Sequence, residues 1–94
     1  MTRMIVALIG AGTIGRAVIE SLLSSGFKGR IIATRRRIEK IMDLVERGVE
    51  VTRNNKEAAK RAQVIIICVK PNDVKKVLSE IRDEIENKLV ISLA

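Results

Sequence analysis

The 94-residue sequence has no histidine, tryptophan or tyrosine, and only one phenylalanine (Phe27), one cysteine (Cys68) and one proline (Pro71). Each shortage excludes a class of chemistry. Without histidine and with one thiol, ordinary zinc sites and Ser–His or Cys–His nucleophilic catalysis lack their components. One cysteine rules out an internal disulfide, which fits a cytoplasmic setting. With Phe27 the only aromatic there is no stacking platform for single-stranded nucleic acid, so nucleic acid is a poor partner. The longest unbroken apolar run, residues 64–69, is far too short to cross a bilayer, so no membrane association is expected. Residues 4–11 follow Arg3 in the manner of a signal peptide, but the glycines after them suit a nucleotide loop better.

What is present is a single domain's worth of chain with 47% hydrophobic residues, enough for one core. Eighteen basic residues against eleven acidic ones give a net charge of +7, which implies an anionic ligand or partner. Abundant Ile, Lys, Arg and Glu with few aromatics is also a heat-stable composition, a plainer source for part of that excess.

Short apolar runs alternate with amphipathic stretches. Residues 4–9 form a continuous apolar run, as in a strand buried on both faces. Residues 14–25 carry Ile14, Val18 and Leu22 at helical spacing, and Gly26 is placed to stop the helix. Residues 30–33 form a second strand. Ile38, Ile41, Met42 and Val45 predict an amphipathic helix over 36–47, closed by Gly48. A short strand at 49–52 precedes a helix running to residue 62, with Asn54 and Glu57 spaced as a capping box. Residues 64–69 read as the central strand. Val74, Val77, Leu78, Ile81 and Ile85 mark another helix, capped by Asn72 or Asp73, and 89–93 the last strand. The alternation predicts an α/β fold, a Rossmann-like doubly wound parallel sheet of about five strands ordered 3-2-1-4-5. Such a sheet is covered on both faces, yet no closing helix follows residue 93. This suggests a truncated or partner-dependent domain with an uncovered face that favours homo-oligomers.

Gly10-Ala11-Gly12-Thr13-Ile14-Gly15 is a complete G-x-G-x-x-G between a strand and a helix, the context a dinucleotide site requires. Gly10 permits the tight turn, Gly12 lets a pyrophosphate approach, and Gly15 lets the helix pack on the sheet. The amides of Gly12, Thr13 and Ile14 are expected to face the ligand, where the helix dipole favours negative charge. The plainer alternative is a tight connection and nothing more.

In NAD-binding versions an acid about 20 residues further on holds the ribose hydroxyls. Here that place reads Ala33-Thr34-Arg35-Arg36-Arg37, with no acid. Three cations at the start of a presumed helix oppose its dipole. A bound 2′-phosphate resolves the conflict: Thr34, Arg35 and Arg36 would grip it and select NADP(H), while Arg37 belongs to a solvated basic face. After the fourth strand, Cys68-Val69-Lys70-Pro71 would pass beside the ribose and nicotinamide end, at the topological switch point. Read locally, Cys68 is a small core residue and Lys70 a solvated cation.

Taken together, IGAGTIG, NNKEAAKRAQVIIICVKP and LVISLA resemble pyrroline-5-carboxylate reductase, an NAD(P)H-dependent family that reduces 1-pyrroline-5-carboxylate to L-proline. The resemblance spans essentially the whole chain, and VKP is its most specific element. It implies that Ile9, Gly10, Ala11, Gly12, Thr13 and Ile14 line the pyrophosphate and that Thr34 sits at the adenosine ribose phosphate. It also implies Asn55 near the adenosine, Cys68, Val69, Lys70 and Pro71 along the nicotinamide ribose, and residues 92–94 near the nicotinamide. The family continues into a helical domain that dimerises and supplies much of the imine pocket. None of that domain is in this sequence, so residues 1–94 are expected to bind NADP(H), to hold no catalytic or metal-binding residue, and to meet an imine substrate only with a second domain. Two other readings share these features: a deazaflavin-dependent NADP oxidoreductase, and a non-enzymatic nucleotide-binding module.

Overall fold

Five parallel strands, β1 (Ile5–Ile9), β2 (Arg30–Thr34), β3 (Glu50–Thr52), β4 (Val64–Ile67) and β5 (Leu89–Ser92), build one sheet ordered β3-β2-β1-β4-β5, as expected from the alternation. A computed structural model describes residues 3–94. The helices are α1 (Thr13–Ser24), α2 (Asn55–Arg61) and α3 (Val74–Ile81). The apolar run of β1 is explained by its place in the middle, covered on both faces. Val6 and Leu8 pack with Ile19, Ile31, Ile41 and Leu44 on one side, and Ala7 and Ile9 pack with Ala58, Ile65, Val77 and Ile81 on the other.

The sequence places the run at 64–69 in the centre. Instead β4 lies beside the middle strand and ends at Ile67. The reason is visible in its burial: Ile65 and Ile67 are fully buried, whereas Val64 and Ile66 are only half covered. On β5, Leu89 (58% exposed) and Ile91 (37%) continue this open strip.

The larger correction concerns residues 36–47. No α-helix forms there. Two 3₁₀ segments, Ile38–Lys40 and Met42–Arg47, replace it. Ile41 and Leu44 are fully buried, Ile38 partly, and Met42 and Val45 are exposed, so the working apolar period is three. A 3₁₀ turn eclipses i and i+3 and suits that spacing. Arg16 on α1 pins the segment by donating to Asp43 Oδ1 and Oδ2 and to the Lys40 carbonyl, each at 2.8 Å, and Arg47 pairs with Glu20. With no α-helix beginning at Arg35–Arg37, the dipole conflict raised by the three arginines disappears.

Candidate binding cleft

The glycine loop is held from beneath by the end of β2. The Ala11 amide donates to the Thr34 carbonyl at 2.7 Å and the Gly10 amide to Thr34 Oγ1 at 3.1 Å. Gly10 has φ +83°, and a Cβ there would lie 2.4 Å from Val69 Cγ1, so only glycine fits this turn. A Cβ on Gly15 would meet the Gly10 carbonyl at 3.2 Å and Cys68 Cβ at 3.4 Å, the close helix–sheet approach expected of the third glycine. A Cβ on Gly12 would meet nothing within 4 Å, because this glycine borders open space.

The amide of Gly12 departs from expectation. It donates back to the Gly10 carbonyl at 2.7 Å and is not offered to a ligand. The free donors are those of Thr13, Ile14 and Gly15, which have no acceptor among the described residues. α1 has no side-chain cap and no acid in its first turn. α2 supplies the contrast: the Asn54 side chain accepts from the Glu57 amide at 3.0 Å. That is half of the expected capping box, since the Asn54 amide donates to Thr52 Oγ1. An uncapped helix start leaves orphan donors and a positive dipole end, which an anion satisfies.

Thr34 is only 1% exposed, and its hydroxyl is committed on both sides. It accepts from Gly10 and donates to Asn55 Oδ1 at 2.6 Å. The expectation that this hydroxyl grips a phosphate is therefore corrected: its proton is already bound to Asn55. What it does is fix polarity. With Oδ1 accepting, the Nδ2 donors of Asn55 keep no partner among the described residues, and both residues line the cleft.

The cleft above these residues has a volume of about 800 Å³, within the range of small-molecule sites. Gly10 and Gly12 line one bank, Arg35, Arg36, Arg37 and Arg53 another, and Cys68, Val69, Lys70 and the α3 residues Lys76 and Glu80 a third. Arg37 is solvent-exposed, as expected, and also lines the cleft. Away from the cleft, Arg16, Arg30, Arg47 and Arg61 are each paired with a carboxylate. Inside it, Arg35, Arg37 and Arg53 have no carboxylate within 4 Å among the described residues, and Arg36 has only Asp73 at 3.9 Å. Arg35 donates to the Ala11 carbonyl at 3.3 Å, tying the arginine bank to the glycine loop. Cations outnumber the carboxylates Asp73 and Glu80 in this lining, and an anionic ligand offsets the repulsion among them.

Ile9, Ala11 and Gly15 are buried beneath the loop and support it without lining the cleft, and Thr13 and Ile14 contribute backbone amides only. Pro71 opens the 3₁₀ turn Pro71–Asp73 that leads into α3, and Asp73 makes no side-chain cap there. Cys68 packs against the core, and burial pushes its thiol up from its ordinary pKa, which disfavours the thiolate. Residues 92–94 stand outside the lining, although register places Ser92 beside Ile67 at the same end of the sheet. Arg53, Lys76 and Glu80 were missed by sequence reasoning. For Arg53 a signal existed: with β3 beside β2, the residue just past β3 must emerge next to the residue just past β2. Among the described residues there is no cluster of metal-ligating side chains, and no helix is long and apolar enough to cross a membrane.

Known proteins share this sequence and architecture. Pyrroline-5-carboxylate reductase 1 of Dictyostelium discoideum is 34% identical over 91 residues, covering 94% of this chain and 16% of the relative. Pyrroline-5-carboxylate reductase of Vibrio alginolyticus is 38% identical over 97 residues, covering 95% and 34%. Among solved structures, a pyrroline-5-carboxylate reductase from Coxiella burnetii superposes with a TM-score of 0.86 at 33% identity, covering all of this chain and 36% of that one. An imine reductase from Myxococcus stipitatus in complex with NADP+ gives 0.82 at 26% identity, covering 94% and 31%. The chain therefore spans at most about a third of the length of these proteins. The family model described as NADP oxidoreductase, coenzyme F420-dependent, matches residues 5–94, nearly the whole chain, and this chain therefore belongs to that family.

Proposed function

We propose that residues 1–94 are the NADP(H)-binding domain of an NADPH-dependent pyrroline-5-carboxylate reductase of a reducing, cytoplasmic compartment. One observation carries this reading. An uncapped helix start shares one cleft with a bank of arginines of which Arg35, Arg37 and Arg53 have no carboxylate within 4 Å among the described residues, and β2 ends without the acid that would repel a 2′-phosphate. The open space at Gly12 fits the group as well, because a pyrophosphate can reach the free amides of Thr13 and Ile14 there. The pyrroline-5-carboxylate reductases among the relatives support the choice of imine.

The bound nicotinamide supplies the hydride that reduces the C=N carbon of a cyclic imine. This chain's residues bind and orient. Thr13 and Ile14 hold the pyrophosphate, Asn55 offers its amide toward the adenosine, Arg35 and Arg36 hold the 2′-phosphate, and Val69 and Lys70 border the nicotinamide ribose. None of them positions the imine, so the proximity contribution, worth several orders of magnitude in rate, must come from elsewhere. The chain alone is expected to bind NADPH and to turn over little or no pyrroline-5-carboxylate. A robust steady-state rate from the purified 94-residue chain would overturn that expectation. The family description also admits a second reading, the cofactor domain of a deazaflavin-dependent NADP oxidoreductase. It uses the same cleft in the same way.

Calorimetric titration tests the shared part. NADPH should bind more tightly than NADH, and Arg35→Ala should remove about 1–3 kcal/mol of that preference, the range for a charged hydrogen bond. Equal affinities in the unaltered chain would refute the reading.

A further inference from the structure

We propose that Arg53, on the link between β3 and α2, is a direct ligand of the cofactor's 2′-phosphate and a determinant of NADP(H) preference. It would close from the β3 side a clamp that Arg35 and Arg36 form from the β2 side. The inference rests on the reading of this cleft as a cofactor site.

The placement follows from register. β2 and β3 run parallel with Thr34 opposite Thr52, and the Arg35 amide donates to the Thr52 carbonyl at 3.3 Å. The residues one step further on, Arg35 and Arg53, therefore leave the sheet side by side. Arg53 sits on a short, fixed link. The Asn54 amide before α2 is bonded to Thr52 Oγ1 at 3.1 Å, and the Asn54 side chain caps the helix. The guanidinium is aimed as well: its Nε donates to the Arg36 carbonyl at 3.3 Å, which ties the stem and leaves the two terminal amino groups free.

Charge separates Arg53 from the arginines that flank β3 on its other side. The carboxylate on β3, Glu50, is already shared by Arg61 at 2.6 Å and Arg30 at 2.9 Å. Arg53 lines the cleft with Arg35, Arg36, Arg37 and Asn55 and has no carboxylate within 4 Å among the described residues. A phosphomonoester carries up to two negative charges and three acceptor oxygens, so it can take guanidinium donors from two strands at once. The orphan amides assigned to the pyrophosphate lie instead at the start of α1, on the glycine bank.

The test is titration of the full chain and its Arg53→Ala and Arg53→Lys variants with NADPH, NADH and 2′,5′-ADP, alongside thermal unfolding. Arg53→Ala should weaken NADPH and 2′,5′-ADP by about 10- to 100-fold while NADH changes by less than about twofold. Arg53→Lys should fall between, because it keeps the charge and loses the fork. Unfolding temperatures should stay together. Loss of NADPH and NADH affinity in equal measure, with a lowered unfolding temperature, would make Arg53 a loop staple and overturn the assignment. So would an Arg53→Ala variant that keeps the full preference of the unaltered chain. An unaltered chain that does not distinguish NADPH from NADH would sink the cofactor reading itself, and Arg53 with it.

Discussion

The two banks of the cleft are built by opposite means. The glycine bank is backbone: Gly10, Ala11 and Gly12 are locked by bonds to Thr34 and to one another, and Gly10 presses on Val69 where no other residue fits. The arginine bank is side chain. Arg36 is 84% exposed, and Arg35 and Arg53 are steered only by carbonyl contacts at 3.3 Å. The first bank fixes shape, and at Gly10 it admits no side chain. The second supplies charge, and each of its members can be altered without disturbing the fold. Thr34 joins them, since its backbone and hydroxyl anchor the glycine loop while its proton orients Asn55.

Substitutions can break this contrast or sharpen it. The largest effect is expected for Gly10→Ala, where a left-handed φ and the Val69 overlap combine to cost roughly 2–5 kcal/mol of stability, read by denaturant unfolding. If stability survives, the bank is softer than its geometry implies. Gly12→Ala should separate shape from stability. Its Cβ enters open space, so unfolding should move by less than about 1 kcal/mol while NADPH and NADH affinity both fall by about 100-fold, the loss of close pyrophosphate approach. Thr34→Val should cost about 1–3 kcal/mol by leaving the half-buried Gly10 amide without its partner, and should weaken both cofactors alike. A selective loss of NADPH would instead return its hydroxyl to the phosphate.

The smallest effect lies outside both banks. Hydrogen bonds from Arg61, helped by the charges of Arg61 and Arg30, hold the Glu50 carboxyl below the usual range. A carboxylate with a lowered folded-state pKa adds stability above its unfolded value and loses it as pH falls through the folded one. Unfolding measured from neutral to acid pH should therefore show a decline below the ordinary carboxylate range that Glu50→Gln makes shallower, with NADPH preference unchanged.

Much of this was legible in one dimension. Parallel strand order followed from alternation because right-handed crossovers leave few topologies, and the glycine loop followed from its position between a strand and a helix. The segment 36–47 misled because Ile38 and Ile41 satisfy both an α and a 3₁₀ period. Only Leu44, buried where Val45 is not, separates them, and that burial comes from the packing of α1. The arginine bank was half legible. Arg35 and Arg36 stand together in sequence, whereas Arg53 reaches them only through the pairing of β2 with β3.

The sequence by itself determined the backbone chemistry: where chirality demands glycine, where an acid is missing, and where charge exceeds its complement. Only the tertiary structure decided which polar groups are already spent. Donors and acceptors are assigned by distance, and distance between remote residues exists only after folding. So the Thr34 hydroxyl and Gly12 amide are committed within the chain, while Arg53 and the start of α1 are left open to a ligand.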